Sequence, residues 1–175
     1  MVSTYIQMLS AKYHGKLDED ADGYIGFEVE GAQRMKALID GLLEYARVER
    51  YGKNFLPVSI LEVFNSTVIN LNIRIKELNA EVTHGFLPMV MGDETQLTQI
   101  VQNLFANALK FHGPDKIRIH FCAEKRGENW VFECRDNGIG IDPVFFDRIF
   151  IIFKQLHERG EYEGMGVGLA LCKRI

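Results

Sequence analysis

Four polar residues in the stretch QLTQIVQNLFANALKF fall about one helical turn apart: Gln99, Asn103, Asn107 and Lys110. Their 4-4-3 spacing places two amides and an ammonium on one ridge of a helix. Asparagine is a mediocre helix former, roughly half a kcal/mol worse than alanine. A face that needed only water is more cheaply built from Glu, Lys or Gln. An amide oxygen is a hard, neutral ligand suited to Mg2+, and a lysine ammonium is suited to phosphate oxygens. The ridge therefore suits a metal-bound polyphosphate. A plain solvated face has the same spacing, and this stripe alone does not choose between the two.

Two glycine-bearing stretches add to it. RDNGIGIDP, residues 135–143, directly follows the strand-like run NWVFECR. Asp136 at the strand end is placed to accept a hydrogen bond from an exocyclic amine such as that of adenine. Gly138 and Gly140 let the backbone turn tightly and approach a flat ligand. A generic acidic turn has a similar composition. GMGVGLALCKRI, residues 164–175, opens with Gly164, Gly166 and Gly168 onto a helix-like run. Free backbone N–H groups and the positive end of a helix dipole are offered to phosphates there. No strand runs into this segment, so it is not a dinucleotide fingerprint. A Walker GxxxxGK[ST] and the HRD and DFG signatures are absent as well. Between the two stretches lies FFDRIFIIFKQLHERGEYE, an amphipathic piece (Phe146, Ile149, Phe150, Phe153) followed by a charged segment at 154–163. That is the composition of a lid over a site, or of an ordinary exposed loop.

The elements that must position these residues can be read outward from them. Asp93, with Gln96 three residues on, forms a capping box that starts the helix of the amide ridge. Leu97, Ile100, Val101, Leu104, Phe105 and Ala108 form its core stripe. IRIHFCA and NWVFECR, joined by EKRGE, read as a hairpin. A two-residue turn at Gly127-Glu128 pairs residues whose numbers sum to 255, for example Phe121 with Cys134. Ile117, Ile119, Phe121, Ala123, Trp130, Phe132 and Cys134 then share one face, and Cys122 points the other way, against a 122–134 disulfide. Upstream, AEVTHGF and LPMVM are strand-like, and VSILEVFNSTVINLNIRIKEL has helical spacing through Leu61, Phe64, Val68, Leu71 and Ile75. Residues 57–175 are expected to form an α/β layer sandwich, a mixed sheet with helices on one face.

The first part reads differently. Residues 1–51 are expected to form a helical hairpin and 52–56 a linker. Asp18 or Asp20 is placed to cap the second helix. From about residue 20 to 50, apolar or small residues recur at 21, 25, 32, 35, 39, 42 and 46, a coiled-coil-like seam broken by Glu28. A two-helix hairpin cannot bury both its faces, so pairing into a four-helix dimer is the natural remedy, with packing on its own chain the alternative. The fold class is α+β.

Composition narrows the function further. A net charge of −4 over 175 residues argues against nucleic acid as the main partner. No apolar run approaches membrane-spanning length, so no direct membrane contact is expected and a cytoplasmic location is. Three cysteines without CxxC spacing fit free thiols in a reducing compartment.

In this order the motifs resemble one family. NLFANALKF resembles the N box, DNGIGI the G1 box, FDRIFIIF the F box and GMGVGLA the G2 box of sensor histidine kinases. The wider kin are the ATP-binding domains of DNA gyrase, Hsp90 and MutL. LIDGLLEYARV looks like the second helix of the family's dimerisation and phosphotransfer domain. LDEDADGYIGFEVEGAQRMKALIDGLLEYARV and FKQLHERGEYEGMGVGLALCKRI are most similar to the phytochrome-like branch.

The resemblance implies ATP and Mg2+ as cofactors, with Asn107 as the metal ligand. Asn103 and Lys110 would line the phosphate side, and Phe111 would lie near the nucleotide. Asp136 would read the adenine amine in a pocket shaped by Gly138, Gly140 and Ile141. Gly164, Gly166, Gly168 and Leu169 would form the lid hinge and meet the phosphates, with Lys154 and Arg159 as lid contacts. Met165 stands where the family often has Thr. The implied activity is transfer of the ATP γ-phosphoryl to a histidine, then to an aspartate of a response-regulator receiver domain, in a homodimer. The family's acceptor histidine is followed by Glu or Asp, with proline five residues on. His14, His84, His112, His120 and His157 all fail that pattern. MVSTYIQML looks like the part of helix one just after the acceptor, and the sheet is expected to lack its last strands. The chain thus reads as a kinase core cut at both ends. A non-catalytic nucleotide-binding dimerisation module is the alternative. A gyrase-like ATPase is disfavoured, because those relatives place a water-activating Glu where Asn103 stands.

Overall fold

The computed structural model describes residues 2–50, 55–156 and 165–175. The chain divides into two compact units, Met1–Ala46 and Arg47–Ile175.

The first unit is built on α1 (Val2–Tyr13) and α2 (Glu19–Arg50). Asp18, rather than Asp20, caps α2: its Oδ1 accepts a hydrogen bond from the Ala21 N–H at 2.8 Å. The Gly15 N–H donates to Asp22 Oδ2 at 2.8 Å and closes the connecting turn. Along α2 the expected seam divides. Ile25 and Ala32 are buried, whereas Met35, Ile39 and Leu42 are exposed. Tyr24, Phe27, Met35, Leu38 and Leu42 recur at helical spacing and are also exposed. The reason is length: at about 1.5 Å per residue, α1 reaches roughly 18 Å and α2 roughly 48 Å. A single short helix cannot reach Met35, Leu38 or Leu42, while Tyr24 and Phe27, nearer the turn, lie on a face that it leaves uncovered.

The second unit runs β1 (Leu56–Ser59), α3 (Ile60–Asn70), α4 (Asn72–Glu77), β2 (Glu81–His84), β3 (Met89–Gly92), α5 (Glu94–Lys110), β4 (Arg118–Arg126), β5 (Asn129–Asp136) and α6 (Gly168–Arg174). β1 begins at Leu56, inside the stretch expected as linker. It pairs antiparallel with β3 as a two-stranded ribbon. The other sheet has the order β2-β4-β5, with β2 parallel and β5 antiparallel to β4, so it is mixed as expected. The helical run after residue 57 is broken. Ser59 caps α3 by accepting from the Glu62 N–H, and the helix stops at Leu71, whose φ of −98° and ψ of 7° leave helical geometry. Its buried face is Ile60, Val63, Phe64 and Thr67, and Leu61 is turned outward.

The hairpin register holds residue for residue: Ile119 opposes Asp136, Phe121 opposes Cys134 and Arg126 opposes Asn129. Gly127 takes φ +62° in the turn. The three cysteines are free. One core joins α3, α5 and β4 through Val63, Phe64, Val101, Phe105, Leu109, Ile119 and Phe121. Phe105 meets Phe64 edge-on at 5.7 Å and Phe121 at 5.9 Å. Fully burying one such ring is worth about 2–3 kcal/mol. Both helices therefore lie on one face of the sheet. Toward the hairpin turn that cover runs out, and Phe132, on the same face as Ile119 and Phe121, is 36% exposed.

Candidate functional site

The site is organised by α5. Asp93 Oδ1 accepts from the Gln96 N–H at 3.0 Å, which fixes where the helix starts. Val101, Phe105, Ala108 and Leu109 are its buried residues, and these fix its rotation. Leu109 was missing from the expected stripe. With those positions inward, Gln99, Asn103, Asn107 and Lys110 come to lie half-buried along the flank.

At the carboxyl end of that flank, α5 meets the strand-end aspartate. Asp136 opposes Ile119, so it continues the helix-covered face of the hairpin. Its Oδ1 accepts from the Gly138 N–H at 2.8 Å, and the Ile139 N–H donates to the Phe111 carbonyl at 3.0 Å. A Cβ on Gly138 would stand 2.3 Å from that carbonyl oxygen and 2.8 Å from Asp136 Oδ1. Glycine is required here for space. Lys110 Nζ lies 4.3 Å from the centroid of the Phe111 ring, a cation–π contact. Two residues back on β5, burial, and then the charge of Asp136, push the Cys134 thiol up to about 12. That thiol stays protonated and unreactive at neutral pH.

At the other end of the ridge, α5 meets the start of α6. A Cβ on Gly168 would stand 3.0 Å from Asn103 Oδ1. Cys172, one turn later on α6, places its Sγ 3.9 Å from the Ile100 carbonyl. Burial raises the Cys172 thiol above its ordinary value, partly opposed by a hydrogen bond with the Asn103 side chain. Asn103 is thus engaged by α6. Gly166, at φ +70°, approaches the backbone of Lys154: a Cβ there would meet the Lys154 carbonyl oxygen at 2.4 Å. Its own carbonyl accepts from the Phe153 N–H at 2.9 Å.

The structure therefore brings Phe111, Asp136 and Gly138 together at one end of the α5 flank. It brings Asn103 and Gly168 together at the other, with Asn107 between. Eight residues of helix separate the ends, about 12 Å. Gly140 takes φ +72° with open space around it, Ile141 is exposed, and Leu169 is half-buried on the first turn of α6. Gly164 and Arg159 lie outside the described residues. The expected amphipathic lid piece is not one helix: a 3₁₀ turn at Pro143–Phe145 leads into further turns. Its less exposed positions are Phe145, Ile149 and Ile152, while Phe146, Phe150 and Phe153 face outward. A chain of turns does not keep the 3.6-residue period on which the expectation rested. Lys110 also borders a groove of about 480 Å3 shared with Arg74, Glu77 and His112, which does not include Asp136 or the glycines.

The donor chemistry fits a magnesium-nucleotide. The flank offers neutral amide oxygens and a lysine, and the described residues hold no cluster of three or more His, Cys, Asp or Glu. Mg2+ keeps much of its own water and is commonly held by one or two protein groups plus substrate phosphates.

Residues 92–175 match the family described as Histidine kinase-, DNA gyrase B-, and HSP90-like ATPase. Full-length ShkA, solved in complex with AMPPNP, superposes with a TM-score of 0.68 at 23% identity, covering 99% of this chain and 40% of that one. Histidine kinase ThkA, solved with response regulator protein TrrA, gives 0.67 at 20% identity over 98% of this chain and 49% of that one. At these identities the likeness establishes the fold alone, the α+β fold of the histidine kinases it superposes on. Cyanobacterial phytochrome A of Nostoc sp. strain PCC 7120 is 47% identical over 174 residues, 99% of this chain and 23% of that protein. The chain thus spans about a quarter of that relative's length. It carries the catalytic domain of a sensor histidine kinase, of the phytochrome-like branch.

Proposed function

We propose that the second unit binds Mg-ATP along the α5 flank and serves transfer of the γ-phosphoryl to a histidine imidazole, for relay to an aspartate of a receiver domain. The observation that carries this is the arrangement of α5 between Asp136 and Gly138 at one end and Gly168 at the other. In this reading the Asp136 carboxylate accepts a hydrogen bond from the adenine amine, and Gly138 lets the base approach the Phe111 backbone. Gly140 and Ile141 shape the rim of that pocket. Asn107 contributes an amide oxygen to the metal, and Asn103 and Lys110 line the phosphate side. Backbone N–H groups at Gly166, Gly168 and Leu169, with Lys154, serve the phosphates in the same reading. Bound Mg2+ neutralises charge on the transferring phosphoryl group. The chain's own part is chiefly to position and to exclude water.

Residues 1–51 serve in this proposal as part of the dimerisation and phosphotransfer hairpin, and the catalytic domain begins with β1 at Leu56. The exposed stripe on α2 supports a homodimer, since a second copy would cover what α1 does not. Among the described residues no helix is long and apolar enough to cross a membrane, and a cytoplasmic setting is part of the proposal. The test is incubation with γ-labelled ATP and a separately supplied histidine-bearing hairpin domain. The proposal expects acid-labile phosphohistidine on that domain, lost in Asn107→Ala. Normal ATP binding with no transfer would instead favour a nucleotide-sensing dimerisation module.

A further inference from the structure

The residue that follows Asp136 has no part in the chemistry above, yet both polar atoms of its side chain are hydrogen-bonded. Strand β5 ends at Asp136, opposite Ile119. The same register would next set residue 137 against Arg118. Instead the backbone bends away, and the Asn137 side chain takes over the rung. Its Oδ1 accepts from the Arg118 N–H at 2.7 Å, and its Nδ2 donates to the Lys116 carbonyl at 3.0 Å. One amide thus satisfies a donor at the start of β4 and an acceptor two residues before it. Few side chains can do this: aspartate at neutral pH has no donor, serine is shorter, and glutamine adds a methylene.

The bend is held from its other side as well. The Gly138 N–H donates to Asp136 Oδ1, and the Ile139 N–H donates to the Phe111 carbonyl. Asp136 therefore sits between two anchors, one to β4 through Asn137 and one to the end of α5 through Ile139. Without the first anchor, the strand end is free to continue straight or to fray. The carboxylate would then no longer be held against Gly138 and Phe111.

We infer that Asn137 is a positioning residue that fixes the Asp136 carboxylate by replacing a backbone rung of the β4–β5 ladder, and so sets the preference for purines bearing a 6-amino group. The inference rests on the proposed reading of Asp136 as the contact to that amine. It assigns Asn137 no contact with the nucleotide.

The experiment measures binding of ADP and of purine riboside 5′-diphosphate, which lacks only the 6-amino group, to the full 175-residue chain by titration calorimetry with Mg2+. One hydrogen bond to a charged group corresponds to a preference of roughly ten- to hundredfold for ADP in the unsubstituted chain. Asn137→Ala is expected to narrow that preference to within about threefold, with affinity for the deamino analogue little changed. Asn137→Asp keeps the acceptor toward Arg118 and loses the donor toward Lys116, so its preference falls between the two. It also serves as the deciding variant if Asn137→Ala does not fold. Full retention of the ADP preference in whichever folded variant is measured overturns the inference. An equal loss of affinity for both ligands also overturns it, because that marks general damage to the domain. Absence of any preference in the unsubstituted chain overturns the reading of Asp136 itself, a result separable from the other two. Hydrogen exchange at the Arg118 amide gives an independent check: Asn137→Ala is expected to accelerate it, and unchanged protection contradicts the anchor.

Discussion

Replacing Gly138 by alanine isolates the contact on which the base end of the site depends. The added Cβ would lie 2.3 Å from the Phe111 carbonyl oxygen and 2.8 Å from Asp136 Oδ1. The first of these is a backbone atom at the end of α5 and cannot rotate away. Restoring an ordinary contact requires the loop to retreat by about 1 Å. Two hydrogen bonds stand in the way, Ile139 N–H to Phe111 at 3.0 Å and Gly138 N–H to Asp136 at 2.8 Å. Losing both is worth about 1–3 kcal/mol, the usual range for overpacking as well. The loop lies near the surface, so the lower half of that range is expected for stability. Nucleotide affinity should suffer more: a displaced Asp136 forfeits a hydrogen bond to a charged group, about ten- to hundredfold. Gly127→Ala, in the β4–β5 turn, is the control. Its φ of +62° makes alanine unfavourable by about 1–2 kcal/mol, but no atom lies within 4 Å of the added methyl. It should therefore lower the melting temperature with much less effect on binding. Thermal melts followed by circular dichroism, with calorimetric titration of Mg-ADP, separate the two. A Gly138→Ala variant that melts and binds like the unsubstituted chain would refute the reasoning.

Three further outcomes are expected. Leu38→Lys on the exposed α2 stripe should shift the chain from dimer toward monomer in sedimentation equilibrium, and an unchanged mass would remove that stripe from the interface. Gly26→Ala in α2, where no atom lies within 4 Å of the added methyl, should stabilise the hairpin unit by about 0.4–1 kcal/mol in urea titration; destabilisation would show that the open space is occupied in solution. Cys134 sets a pH dependence, because its thiol is held near 12 when folded against 9.0 as the ordinary value. Above about pH 9 the unfolded chain ionises this thiol while the folded one keeps its proton, so stability falls as pH rises toward 12, by up to roughly 4 kcal/mol. Cys134→Ala should flatten that decline between pH 8 and 10.5, and parallel slopes would contradict the assignment.

Much of the scaffold is legible in the sequence where short-range rules decide. A two-residue turn dictates its ladder by counting, and Gly127-Glu128 does so for every pair from Ile119–Asp136 to Arg126–Asn129. The Asp93 cap is similarly local. What escapes is what distant neighbours decide. Leu71 interrupts a run with unbroken helical spacing, although Ser59-x-x-Glu62 marks the true start of α3. The α2 seam looks continuous because periodicity cannot tell which partner covers which stretch. Phe146 and Phe150 have the right spacing for a buried face, but the backbone makes turns there. Around the candidate site, residue types point to Asp136, Gly138 and the amide ridge. The engagement of Asn103 by Gly168 and Cys172 has no sequence signal, since it depends on how α6 returns to α5. Asn137 does carry one, unread: it continues the register of the hairpin at the residue where the strand must stop.

The central claim is that one nucleotide spans the α5 flank from Asp136 to Gly168. Backbone amide chemical shifts of the nitrogen-15-labelled chain, followed during titration with Mg-ADP, test it most directly. The account predicts saturable changes, with a common dissociation constant, across 103–111, 136–141 and 165–169. Changes confined to 70–78 and 109–112, the groove beside Arg74 and His112, with Asp136 and Gly168 unmoved, would contradict it.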